Sequence, residues 1–155
     1  MVDFGCEIWG DVKGTDLEKL QLGVGRKILR GGRRLTGEVV RGELGWESHR
    51  ARRDELRLRF WNHLLHLPGS RLARQIYEAS RKRLDQEEAE SKSRTSSWCV
   101  YTRDLLTELG LEKHWSAQST LLDRGPGMAS KWNDLVRAKL HQREEALWRK
   151  ECLAS

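Results

Sequence analysis

The residue pattern of this 155-residue chain predicts a mainly α fold. Three observations carry that expectation. Only two prolines interrupt the chain, so few segments are barred from helix. Phenylalanine is equally scarce and β-branched residues are few, which disfavours sheet. Apolar residues recur at intervals of three and four in segment after segment. With 37% hydrophobic and 34% charged residues, each helix can offer only a narrow apolar stripe and must leave the rest solvated. The length suits one domain, or one domain with a small satellite. We expect about six helices in two small subdomains, residues 1–84 and 98–155, joined by a flexible linker at 85–97. A short strand-like segment, Val2-Asp3-Phe4-Gly5-Cys6, opens the chain.

Thr15-Asp16-Leu17-Glu18 has the form of a capping box and predicts a helix start. Leu17, Leu20, Val24 and Ile28 then share one face, expected to point inward, while Gly23 and Gly25 each weaken the helix by about 1 kcal/mol relative to alanine. Gly31-Gly32 is the expected stop. Thr36 can cap a second, short helix, with Leu35 and Val40 as a hydrophobic staple and Gly45 as its end. Trp46 reads as a core plug. Ser48 caps a third helix running to Leu67, with Ala51, Leu58, Phe60, Trp61, Leu64 and Leu65 inward, and Pro68-Gly69 stops it. Ser70 caps a fourth helix, with Leu72, Ile76 and Tyr77 inward.

Residues 85–97 hold no apolar side chain beyond Ala89 and read as a helix fray followed by a flexible linker. Ser96 or Ser97 caps a fifth helix carrying Trp98, Tyr101, Leu105 and Leu109, closed by Gly110. Leu111 and Trp115 follow in a short turn. After Gly125-Pro126-Gly127 a sixth helix starts near Ser130, with Trp132, Leu135, Val136, Leu140 and Leu147 inward. The indoles of Trp115 and Trp132 are expected between the last two helices.

The net charge of +6 is unevenly placed. Residues 26–84 carry sixteen Lys/Arg against six Asp/Glu, whereas residues 85–155 carry eleven against twelve. The third and fourth helices form the densest part. Between residues 48 and 84, ten cations (Arg50, Arg52, Arg53, Arg57, Arg59, Arg71, Arg74, Arg81, Lys82 and Arg83) face Asp54, Glu55 and Glu78 alone. A helical hairpin with such an outer surface suits phosphate backbones, which guanidinium groups fork onto without reading bases. The competing reading is an ordinary solvated helix face, with arginine stems packing for solubility.

Signals for catalysis are thin. His63 and His66 lie three apart on one helix, yet no Cys or carboxylate stands at ligand spacing beside them. Cys99 and His114 lack any third group to orient a thiol-imidazole pair. Gly23-Val24-Gly25 sits within a helix, not after a strand, and is no phosphate loop. We therefore expect no enzyme, no cofactor and no metal. The three cysteines, Cys6, Cys99 and Cys152, fit neither a disulfide framework nor a zinc pattern. Without an apolar span or a secretory start, an intracellular place in cytoplasm or nucleus and no membrane contact are expected.

Five short motifs occur in order: Gly5-Cys6-Glu7-Ile8-Trp9-Gly10, Gly42-Glu43-Leu44-Gly45-Trp46, Leu58-Arg59-Phe60-Trp61, Leu105-Leu106-Thr107-Glu108-Leu109-Gly110-Leu111 and Arg143-Glu144-Glu145-Ala146-Leu147-Trp148-Arg149. Over nearly the whole chain they resemble the region after the palm in the reverse transcriptase polyproteins of non-LTR (LINE-type) retrotransposons. The resemblance implies a helical thumb and post-thumb segment that grips RNA or a template-primer duplex. The paired aspartates of that family's palm, in a Tyr-x-Asp-Asp motif, have no counterpart here, so no catalytic residue carries over. Alternatives are a small helical interaction domain docking on the palm or another helical protein through its Trp/Leu stripes, or a retrotransposon relic without function.

Overall fold

The computed structural model describes residues 15–90, 97–121 and 131–154. Among these it contains seven α-helices and no strand: α1 (Thr15–Ile28), α2 (Gly37–Leu44), α3 (His49–His66), α4 (Leu72–Ala89), α5 (Trp98–Glu108), α6 (Glu112–Ala117) and α7 (Lys131–Ala154), with a 3-10 turn at Gly32–Arg34. The mainly α expectation holds. The strand-like start, the Gly5 to Gly10 motif and the Thr15 side chain of the capping box lie outside the described residues.

Helix boundaries follow the local chemistry. Ser48 Oγ accepts the Ala51 N–H at 3.0 Å and Ser97 Oγ accepts that of Val100 at 3.4 Å, each satisfying an orphan donor. Gly45 ends α2 at φ 60°, and Trp46 N–H then reaches back to Arg41 O at 3.0 Å. Gly110 does the same for α5 at φ 68°, with Leu111 N–H on Leu106 O at 2.7 Å. Three ends differ from expectation. Arg30, at φ 53°, takes the left-handed position before Gly31. Thr36 and Arg71 precede α2 and α4 without a side-chain cap bond, so neither Thr36 nor Ser70 acts as predicted. Residues 85–89, read as the frayed start of the linker, are regular helix at the end of α4, and the turn around Trp115 closes into α6.

α3 is the central helix. α7, α4 and α5 all pack on it, and one core draws Leu58, Trp61, Leu64, Tyr77 and Leu84 from one side of 85–97 and Cys99, Leu106, Trp115, Trp132, Val136 and Leu140 from the other. The indoles of Trp115 and Trp132 meet Trp61 of α3: its ring stacks on Trp115 at 6.1 Å and lies 5.6 Å from Trp132. The polar edges of Trp61 and Trp132 are satisfied. Trp61 Nε1 donates to Tyr77 Oη at 2.9 Å, Tyr77 donates to Gln118 Oε1 at 2.5 Å, and Trp132 Nε1 donates to Leu58 O at 3.2 Å.

Several stripes point elsewhere than expected. Leu20, Val24 and Ile28 of α1 are 60, 45 and 56% exposed. The buried face of α1 is instead that of Gly25, where the missing side chain lets α2 and Trp46 approach the backbone. On α4, Leu72 and Ile76 are exposed, because Tyr77 and Leu84 face the core while the Arg74 guanidinium crosses to Leu64 O at 3.0 Å. Leu147 of α7 is exposed too, since the helix there has run beyond α3 to reach α2.

Candidate nucleic-acid interface

The ten hairpin cations do not form one outer surface. Arg52 and Arg59 on α3, Arg71 just before α4, and Lys82 and Arg83 on α4 are exposed. Arg59 lies 3.9 Å from Glu55, which also receives Arg137 Nε from α7 at 2.8 Å, and Arg83 pairs with Glu87 one turn on at 3.0 Å. Such exposed pairs contribute under about 1 kcal/mol each, so these cations can be drawn to another anion.

Four others face the protein, and Arg50, though exposed, is turned towards α5. Arg74 is held by Glu78 at 2.6 Å and lies over the Tyr77 ring, and Arg81 by Asp85 at 3.0 Å. Arg53 is half-buried. Arg57, nearly buried, sits 5.9 Å above the Tyr101 ring and 3.9 Å from Asp54. Arg50 reaches α5, where Glu108 accepts at 3.1 and 3.3 Å.

Arg50 and Arg57 belong to an ionic knot that sequence reasoning missed. At its centre the buried Asp54 carboxylate lies 2.8 Å from Arg143 Nη1 of α7, 3.7 Å from Arg50 and 3.9 Å from Arg57. Glu108 stands 3.5 Å from the same Arg143 nitrogen. Burial pushes the Asp54 carboxyl above its ordinary range, against the pull of Arg143, Arg57 and Arg50. The knot ties α3, α5 and α7 together. One signal for it was present: Asp54 interrupts the helical stripe Ala51, Leu58, Trp61 and Leu65. A carboxylate at such a position needs a cation from elsewhere in the chain.

The residues considered for catalysis have other surroundings. His63 and His66 are exposed, with His66 Nδ1 2.7 Å from Asn62 O. Among the described residues, no three His, Cys, Asp or Glu gather in a way that could hold a metal ion. Burial raises the Cys99 thiol to about 11, which keeps it protonated at neutral pH. His114 is buried edge-on against Trp132 at 5.0 Å, with Nδ1 3.0 Å from Ser119 O. Among the described residues no helix is long and apolar enough to cross a membrane. Comparison with protein-family models, with curated proteins and with solved structures finds no match to this chain.

Proposed function

We propose that this chain is a non-catalytic nucleic-acid-binding unit, similar to the post-palm region of a non-LTR reverse transcriptase, that holds RNA or a template-primer duplex by phosphate contacts. The observation that carries it is the cationic outer side of α3 and α4, where Arg52, Arg59, Arg71, Lys82 and Arg83 remain exposed within a segment of sixteen Lys/Arg against six Asp/Glu. Arg50, Arg57 and Arg74 serve the fold in this reading, and five outward cations make the grip. Contacts of that kind position a backbone and carry no sequence information.

The test is fluorescence anisotropy of a labelled hairpin RNA and a labelled DNA duplex, titrated from about 50 to about 200 mM salt. Micromolar binding that falls steeply with salt is expected. Changing the five outward cations to glutamine should abolish it while the far-ultraviolet spectrum stays helical. A folded protein that binds neither probe at the lowest salt overturns the proposal. A second reading, docking of a protein partner, has a narrower base, because Trp61, Trp115 and Trp132 are consumed in the core and Trp148 is left half-exposed.

A further inference from the structure

The first turns of α1 and α3, one face of α2 and residues 141–151 of α7 border an open cleft of about 1070 Å³. Val39, Leu147 and Trp148, on its walls, are 44, 42 and 42% exposed. The Trp148 indole is a fixed wall: its N–H donates to Glu38 O at 3.1 Å, and its ring covers Gly42, where an added Cβ would stand 3.6 Å away. Around these apolar groups stand seven glutamates against four Lys/Arg and His141. A cleft so built fits an apolar side chain flanked by cations.

The same chain carries such an element. On the outer side of α4, Leu72 and Ile76 are 70 and 57% exposed, and Ala79 and Arg83 continue their stripe at helical spacing, with Lys82 beside it. That stripe cannot reach its own cleft from where it begins. Leu72 follows the turn at the C-terminal end of α3, whereas Ser48 and Arg50, at the other end, line the cleft. The eighteen residues of α3 separate those ends by about 27 Å.

We propose that the α4 stripe of one molecule docks in the acidic cleft of a second copy, head to tail. Exposed apolar area on both surfaces is covered, and opposite charges meet at the rim. The contact joins two different surfaces, so each molecule added leaves one of each free for the next copy and assembly goes beyond a dimer. It shares Lys82 and Arg83 with the nucleic-acid reading, but its test contains no nucleic acid, so the two can fail separately.

The test is sedimentation equilibrium of the full chain from about 5 to about 200 µM, at about 50 mM and again at about 500 mM salt. The weight-average mass should climb with concentration without a dimer plateau and fall back at high salt. Val39→Lys with Leu147→Lys, in the cleft, and Leu72→Gln with Ile76→Gln, on α4, should each give monomer. An equimolar mixture of the two should give a one-to-one dimer, because each supplies the surface that the other lacks. A wild-type chain that stays monomeric at low salt overturns the proposal, as does association that survives either pair of changes. If the cleft variant loses its helical spectrum, Glu43→Lys with Glu47→Lys, both exposed at the rim, replaces it with the same expected outcome.

Discussion

Gly23 and Gly25 stand two residues apart in α1, and replacing each with alanine should move stability in opposite directions. In a helix interior the change from glycine to alanine is favourable by about 1 kcal/mol, because the unfolded chain loses freedom. At Gly23 an added Cβ meets nothing within 4 Å, so Gly23→Ala should keep most of that gain. At Gly25 the Cβ would stand 2.3 Å from Val40 Cγ1, 3.1 Å from Leu44 Cδ1 and 3.2 Å from Trp46 Cζ3. Val40 is fully buried and, being β-branched, has little rotameric freedom with which to withdraw. α1 must then lift off α2. Overpacking of that kind costs about 1–3 kcal/mol, which exceeds the helical gain and leaves a net loss of about 1 kcal/mol. The two variants should therefore differ by roughly 2 kcal/mol, with the wild type between them. Urea unfolding followed by far-ultraviolet circular dichroism reads the global effect, and hydrogen exchange of the α1 amides reads local opening of the α1–α2 seam. Adding Val40→Ala to Gly25→Ala should recover part of the loss, a coupling absent from the Gly23 background. If Gly25→Ala proves as stable as Gly23→Ala, the close approach between α1 and α2 is not a feature of the folded protein, and the reasoning fails.

Other consequences can be measured in the same way. Arg143→Met removes the shortest ion pair of the buried Asp54 carboxylate, leaving Arg50 and Arg57 at 3.7 and 3.9 Å, and should cost about 3 kcal/mol at neutral pH, whereas Asp54→Leu with Arg143→Met should come within about 1 kcal/mol of the wild type; equal stability of the single variant and the wild type would show that Arg143 does not hold Asp54. In Arg143→Met the folded carboxyl holds its proton above the ordinary range, so the folded state binds more protons than the unfolded one, and the loss should shrink as pH falls towards that range. Alkali should destabilise the wild type with a defined sign. Burial raises Cys99 from 9.0 to about 11 and Tyr77 from 10.0 to about 12, so their contribution is whole below about pH 9 and is lost as pH rises through those folded values. Each pH unit between 9.0 and about 11 should remove about 1.4 kcal/mol through Cys99, and denaturation of Cys99→Ala across that interval should show a flatter profile; an unchanged slope would mean that the thiol is not buried.

Much of the fold could be read from local pattern, because caps and stops are chemistry between near neighbours. Ser48 and Ser97 satisfy amides three residues away, and Gly45 and Gly110 reverse the chain in conformations that a side chain disfavours. The inward face of α3 was legible as well, Asp54 apart, whereas α5 buries Cys99, Thr102 and Leu106 beside the expected Leu105 and Leu109 and leaves Trp98 and Tyr101 half-buried. What escaped the sequence was the choice of partner for each face. α1 displays Leu20, Val24 and Ile28 and buries Gly25, because periodicity names a face without saying what shape will meet it, and α2 meets the backbone most closely where no side chain intervenes. α4 turns Tyr77 and Leu84 inward and leaves Leu72 and Ile76 outside for the same reason. The ionic knot depends on Asp54, Glu108 and Arg143, which are distant along the chain and come together only when α5 and α7 pack on α3. Ion pairing falls off with distance in space, and that distance exists only in the packed molecule.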